Sequence, residues 1–351
     1  MLKDASWISK LASFAIMAPS ADNSQPWTLS WDKGELAIAF RKTYQMPSMF
    51  WADSHATLLA AGAVAELLHN TFIANNVTAK WHWPSNSASG KPYAWFTLNA
   101  TPSDFTPPEG VSLRHTNRFA FRCDPLPPAV FREIEQFREG SIRIVPVSGG
   151  QHKSEFIRLV RLSSEARFCT RELHEWLIDS LRFTQEEVSR GDGLDVRTLA
   201  LPPGGKQFMR FISDWRRMKI LNRLSAYKIL ALSEVRLLPA APALLCIVGP
   251  ADARSAIDAG RLMTRLWMHL NLNEIAVHPY YVVTDQINRL HEDKVPAGFE
   301  SQIDEVEEQT RELLGLQPAE ILHIIFRVGY PKVTPLRSRR LPLDAVFIDN
   351  S

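Results

Sequence analysis

The segment from Ser54 to about Asn75 carries Ala, Gly, Val and Leu on nearly every face between Leu58 and Leu68. A helix that is apolar all round has no side to turn to water, so the rest of the chain must wrap it in other layers. A second helical stretch, Ser255 to Asn273, places Ala259-Gly260 where the first places Ala61-Gly62. Each stretch is preceded and followed by strand-like sequence. The pattern predicts an α+β fold of two related halves, with mixed or antiparallel sheets around central buried helices that pack on one another.

The flanking segments fill in the halves. Met1 to Met17 reads as an amphipathic helix stopped at Pro19, followed by strands over Trp27 to Trp31 and Leu36 to Phe40 around a Lys33-Gly34 turn. Val77 to Trp83 and Tyr93 to Asn99 alternate with a period of two, and Pro102 to Glu109 reads as a linker. A new series then begins, with a helix over Pro128 to Arg138 and strands over Ile142 to Val147, Ala243 to Val248 and Ile321 to Val328. The expected boundaries are therefore 1–108 for the first half and 109–351 for the second. A helical insertion of about 151–238 has no counterpart in the first half and reads as a lid or an added packing layer. Within it, Phe208, Phe211, Ile212, Trp215, Met218, Leu221 and Leu224 recur at helical intervals, with Arg210, Arg216 and Arg217 between them.

The chain has 351 residues and a net charge of only +2, a field too weak to predict a nucleic-acid or membrane-surface partner. A small-molecule ligand is the expectation. No run of eighteen apolar residues predicts a membrane span, and the apolar stretch Leu11 to Ala18 lacks the flanks of a signal peptide, so a cytoplasmic location is expected. Cys123, Cys169 and Cys246 are far apart and odd in number, which predicts reduced, mostly buried thiols and no metal site. His82 between Trp81 and Trp83 reads as a strand residue. There is no GxGxxG, P-loop, GxSxG or HExxH motif.

Three short segments carry the chemistry. In the first, from Ala18 to Trp27, Pro19 ends a helix and Ser20, Asn23 and Gln25 offer a hydroxyl and two amides in a tight turn. Amides supply a donor and an acceptor together, which suits a heterocycle rimmed with carbonyls and ring nitrogens. The same residues also suit plain capping of a turn. In the second, Leu113 to Phe119, an extended backbone would aim Arg114, Thr116 and Arg118 to one side, as for a phosphate monoester. A solvated basic strand is the alternative. The third is Arg337-Ser-Arg-Arg340. It continues into Leu341, Leu343, Val346, Phe347 and Ile348, which predicts a tail docked on the body and holding Arg339 or Arg340 in place.

Taken together these segments resemble the nitroreductase-like flavoenzymes. The Pro19-Ser20 turn with Asn23, Gln25, Pro26 and Trp27 is similar to their helix-Pro-Ser-x-x-Asn-x-Gln-Pro-Trp element. Arg114-His-Thr-Asn-Arg118 is similar to their Arg-x-Ser-x-Arg phosphate motif, with Thr116 in place of serine. Leu314 to Pro318 and Val328 to Pro331 resemble their closing segment. The resemblance covers most of the chain outside the insertion. It implies FMN as cofactor and NAD(P)H as a donor, with the chemistry carried at flavin N5 rather than by a named catalytic side chain. It also implies a cofactor set of Pro19, Ser20, Asn23, Gln25, Arg114, Thr116, Arg118, His278, Arg339 and Arg340. His278 enters because Asn273 to Pro279 lies where the family often has glycine beside the flavin.

The family's homodimer builds each flavin site from the turn of one subunit and the Arg motif of the other. Here each element occurs once, and Gly140 to Ile144 stands where a second turn would fall. The resemblance therefore implies a fused pseudo-dimer with one composite site, similar to the single-chain Acg-like branch, acting as a monomer or as a homo-oligomer. The implied activity passes hydride or electrons from reduced flavin to a small organic acceptor. The alternatives are a flavin-sequestering or partner-binding protein with an occluded site, and a dehydrogenase working alongside a partner enzyme.

Overall fold

A computed structural model describes residues 5–41, 50–84, 91–98 and 102–350. The first part of the chain runs α1 (Ala5–Ala15), β1 (Trp27–Asp32), β2 (Glu35–Phe40), α2 (His55–Ala74), β3 (Ala79–His82) and β4 (Ala94–Leu98). The start of the helix expected from Met1 lies outside the described residues. The chain continues with α3 (Pro128–Ile134) and β5 (Arg143–Val147). The insertion follows as α4 (Gly150–Cys169), α5 (Arg171–Ser180), β6 (Leu181–Arg182), α6 (Gln185–Ser189), β7 (Leu194–Asp195), α7 (Gly205–Phe211), α8 (Trp215–Arg223) and α9 (Ala226–Val235). Then come β8 (Ala243–Pro250), α10 (Ala253–Leu272), β9 (Ala276–Tyr280), α11 (Val282–His291), α12 (Glu300–Leu314), β10 (Glu320–Gly329) and β11 (Phe347–Asp349).

The fold is α+β, and its two main sheets share one strand order. The first is β1-β2-β4-β3, extended at its β1 edge by β11. The second is β5-β8-β10-β9. Every pairing in these two orders is antiparallel, and only the added β11 runs parallel to its neighbour β1. In each half the central helix leaves the second strand of the order and leads to the last. The β1–β2 connection is a two-residue turn at Lys33-Gly34, whereas the equivalent β5–β8 connection is the insertion, residues 148–242.

α2 and α10 cross with their backbones nearly touching. A Cβ added at Gly62 would lie 1.9 Å from the carbonyl oxygen of Ile257, and one added at Gly260 would lie 2.1 Å from that of Leu59. Each glycine thus meets the residue three positions before the other glycine, a reciprocal contact of the kind a local two-fold produces. Only glycine permits such an approach. The crossing is then locked by charge: buried Glu66 of α2 accepts from Arg265 of α10 at 2.7 and 3.1 Å, and Glu139 bridges Arg261 and Arg265.

One core surrounds this pair. It takes Trp27, Leu29, Trp31, Leu36, Ile38 and Phe96 from the first sheet and Ala243, Leu245, Ile247, Phe326 and Val328 from the second. A separate core lies on the outer face of the second sheet, where Leu244, Cys246, Val248 and Ile325 meet Phe156 and Leu159 of α4, Val282 and Val283 of α11, and Ile303 and Val306 of α12. The insertion adds a packing layer to this sheet through α4 and the end of α9. Two expectations need correction. Cys123 is exposed and Cys169 half-buried, so of the thiols expected to be mostly buried only Cys246 is. The segment around Arg114 is a loop, joined to β9 by a single Thr116–Val277 bridge, rather than a strand.

Candidate functional site

α1 ends before Pro19, which leaves carbonyls at its C-terminus without helical partners. The carbonyl of Met17 accepts from Arg114 Nη2 at 2.8 Å and from Arg340 Nη2 at 3.0 Å, so the helix end draws two guanidiniums from distant segments to one point. The loop that carries Arg114 is itself pinned. Asn117 N–H donates to the Val277 carbonyl at 2.8 Å, and fully buried Arg327 of β10 donates to the carbonyls of Asn117 and Phe119 at 3.1 and 2.8 Å.

Beyond the helix end the chain turns sharply, and Asp22, Asn23 and Gln25 all adopt positive φ, at 46°, 60° and 51°. Left-handed backbone costs a non-glycine residue about 1–2 kcal/mol, so something must hold it. The two amides do. Asn23 Nδ2 reaches the carbonyls of Gly191, Gly193 and Arg339 at 3.1–3.2 Å, and its Oδ1 accepts from Arg340 Nη1 at 2.9 Å. Gln25 Nε2 donates to the Gly191 carbonyl at 3.0 Å, and its Oε1 accepts from Leu341 N–H at 3.0 Å. These amides staple the turn to the insertion and to the C-terminal tail. Of the two roles the sequence leaves open for this turn, ligand contact and capping, these bonds within the protein match the second, and Asn23 also lines a cavity. Ser20 Oγ likewise accepts from Gln25 N–H at 3.0 Å, the capping alternative.

Against this frame lies a cavity of about 520 Å³, within the size range of small-molecule sites. Its walls come from the 17–23 turn, Leu59 and Ala60 of α2, the 112–118 loop, Met263 and Trp267 of α10, the 278–282 segment, the 336–340 tail and the underside of the insertion. Pro19, Ser20, Asn23, Arg114, Thr116, Arg118, His278 and Arg340 line it, while Gln25 and Arg339 do not. Arg339 is exposed, and its carbonyl accepts from Asn23 Nδ2 and Arg340 Nη1.

The charges fall into two groups. Arg114 is buried, its guanidinium stacked over the Trp267 ring at 4.8 Å, and burial, then Arg340 and Arg337, push its pKa well below the arginine range. Arg340 is driven down by burial to about 10. The Nε of each lacks a hydrogen-bond partner among the described residues. Arg337, also on the cavity wall, bonds the Ser112 carbonyl. Three guanidiniums thus crowd together and, among the described residues, no carboxylate pairs with Arg114, an arrangement that an anion would relieve. Arg118 stands apart from them. Burial lowers its pKa, opposed by Asp22 and Tyr280, and it faces His278. The sequence pattern paired Arg118 with Arg114; the fold pairs Arg114 with Arg337 and Arg340.

His278 sits on β9 opposite Arg327, with its ring 4.5 Å from that of Tyr280. Burial, Arg327 and Arg118 keep its imidazole neutral, and its Nδ1 has no partner among the described residues. Tyr281, also on the cavity wall, has its OH 3.0 Å from His55 Nδ1, and behind it His55 Nε2 lies 2.8 Å from His323 Nδ1. This chain joins α2 of the first half to β10 of the second. Burial lowers His55 to about 3 and His323 to about 4, so both are neutral above pH 5. None of the three residues stood out in the sequence, because they are remote and share no motif. Arg327 did leave a signal: it is a guanidinium inside the apolar run Ile321 to Val328.

The sequence matches no family model and no curated protein. Among solved structures, the chain is similar to a nitroreductase-like family protein from Bacillus cereus, with 12% identity over 67% of this chain and 90% of that one and a TM-score of 0.34. It is similar to the FMN-dependent nitroreductase NfnB from Mycobacterium smegmatis, crystallised with NADPH, at 18% identity, 67% and 93% coverage and a TM-score of 0.36. It is also similar to iodotyrosine deiodinase bound to FMN and 3-iodo-L-tyrosine, at 13% identity, 66% and 94% coverage and a TM-score of 0.35.

Proposed function

We propose that the chain is an FMN-dependent oxidoreductase of the nitroreductase-like class, in which halves 1–108 and 109–351 are fused around one composite cofactor cavity. The carrying observation is buried Arg114 beside half-buried Arg340, whose Nε atoms lack partners among the described residues, at an apolar cavity of about 520 Å³ that both halves wall. A phosphate monoester fits that cluster, because its oxygens accept from the free donors and its charge offsets three guanidiniums. The shared strand order and the reciprocal glycines support the pseudo-dimer reading, with the proviso that β11, from the second half, completes the first sheet.

Bound there, the flavin supplies the redox chemistry, with NAD(P)H as donor and a small organic molecule as acceptor. The chain's own residues bind and exclude. Arg114, Arg337 and Arg340 would hold the phosphate, and Leu59, Ala60, Met263 and Ile324 would exclude water from the cavity. Neutral His278 adds no charge to the wall it shares with Arg118. Tyr281 keeps its proton, since burial raises its pKa well above the tyrosine range.

Absorbance of the purified protein, then titration with FMN and with riboflavin, tests the reading. FMN is expected to bind, and Arg114→Ala with Arg340→Ala is expected to weaken it at least a hundredfold while leaving riboflavin unchanged, at about 1.5–3 kcal/mol per charged contact. Protein that is colourless after incubation with FMN rejects it. A second reading, a flavin-holding protein with an occluded site, is favoured by one observation: Asn23 and Gln25 tie the insertion over the cavity rather than face a ligand. Rapid NAD(P)H oxidation with a nitroaromatic or quinone acceptor excludes it.

A further inference from the structure

The helices α7, α8 and α9 are two-sided. On their inner side, Met209 of α7, Leu230 of α9 and, just beyond these two helices, Ile212 and Leu237 line the cavity, while α8 buries Met218. From their outer side Phe208, Phe211, Ile220, Leu224, Ile229 and Leu232 face solvent, with Leu224 and Ile229 77% and 69% exposed. These six are nearly half of the thirteen large apolar side chains so exposed among the described residues, gathered within 208–232. Singly exposed apolar residues need no explanation, but a concentration of them marks an interaction surface.

The charge of the same stretch is as uneven. Residues 203–240 contain eight Lys or Arg against two acids, a balance of +6 in a chain whose total is +2. Arg210, Arg216, Arg217, Lys219, Arg223 and Lys228 are exposed, and none is in an ion pair among the described residues. Both acids are otherwise engaged: Asp214 caps α8 through the Arg216 N–H at 2.8 Å, and Glu234 pairs with Arg167 at 2.8 Å. The cations therefore act outward without internal compensation.

We propose that α7, α8 and α9 dock on an anionic lipid bilayer, their aliphatic side chains entering the headgroup boundary and their cations meeting the lipid phosphates. Interleaved aliphatic and basic residues on short helices are what such an interface takes. A second copy of the chain fits less well, since an isologous contact would set +6 against +6. A nucleic acid fits less well because the most exposed apolar groups are the aliphatic Leu224 and Ile229, which offer no stacking face. Docked in this way, the roof of the cavity lies against the bilayer.

Sedimentation of the full-length protein with vesicles tests this, whether or not the cavity holds flavin. Vesicles of phosphatidylcholine with phosphatidylglycerol are expected to carry the protein down at low salt, phosphatidylcholine alone much less, and rising salt is expected to release it. Lys219→Gln and Arg223→Gln are each expected to weaken binding about fivefold. Leu224→Ser with Ile229→Ser is expected to weaken it further at low salt, with an unchanged circular dichroism spectrum. Three outcomes overturn the proposal: equal sedimentation with both vesicle types or none with either, a dimer that Leu224→Ser dissociates, or binding to a DNA oligonucleotide that matches the anionic vesicles at the same salt.

Discussion

In β1 and β4 every second side chain is buried and those between are half-exposed, whereas β8 is buried without interruption from Ala243 to Gly249. Both sheets present an inner face to the α2–α10 pair. They differ outside. The first leaves Thr28, Ser30 and Thr97 near solvent, while the second is roofed by α4, α11 and α12. One strand order can therefore be dressed as a one-sided or a two-sided sheet, and the extra elements that cover the second, the 148–242 insertion and the β9–β10 connection, lie in loops that the shared order tolerates. The insertion also supplies walls of the cavity, among them Leu173, Trp176, Leu194 and Met209, that have no counterpart in the first half. What is common to the halves builds the fold, and what differs shapes the site.

The sharpest way to break the comparison is at the crossing. Gly62→Ala and Gly260→Ala each drive a methyl into a backbone carbonyl, and each is expected to cost about 4 kcal/mol or more, seen as lost soluble protein or an early denaturation midpoint. Similar losses at both would match the reciprocal contact, and one tolerated substitution would refute it. Four residues after each glycine the halves diverge, with Glu66 in α2 and Thr264 in α10. Glu66→Gln leaves Arg265 facing a neutral amide and is expected to cost about 3 kcal/mol. Thr264→Val, which removes a hydroxyl that donates to the Gly260 carbonyl of its own helix, is expected to cost under about 1.5 kcal/mol by urea denaturation.

The contact between the halves through His55 and His323 sets an acid limit. Both imidazoles titrate near 6.5 when unfolded but only near 3 and 4 when folded. As pH falls below 6.5 the unfolded chain takes up protons first, so stability present at neutral pH declines by about 1.4 kcal/mol per pH unit for each ring. His323→Gln is expected to flatten that slope between pH 6.5 and 4.5, and an unchanged slope would remove the histidines from the account. The smallest effect compares the outer faces. Cys246→Ser puts a hydroxyl in a covered face and is expected to cost about 1–2 kcal/mol, while Thr28→Ser on the open face stays within about 0.5 kcal/mol.

Much of the fold was legible because it is written in local periods. The apolar run from Leu58 to Leu68, the alternation in β1 and β4, the helix stop at Pro19 and the repeated Ala-Gly pair are short-range signals, and each reports an environment that a residue and its near neighbours must share. The site was legible only in part. Arg114, Ser20 and Arg340 stand in motif-like segments, yet no local pattern shows that the amides of Asn23 and Gln25 bond Gly191, Gly193 and Leu341. The even overall charge likewise concealed the +6 of 203–240, because a sum over the chain erases where its cations lie.

By itself the sequence determined that two buried helices would be wrapped by α+β layers, since burial and backbone period are properties of contiguous residues. Only the tertiary structure decided that Arg114 would share the Met17 carbonyl with Arg340 rather than a ligand with Arg118, and that Tyr281, His55 and His323 would meet. Hydrogen bonds and charge pairing act over a few ångströms of space. Which partners come within that reach depends on how distant segments are folded together, and no local pattern carries that distance.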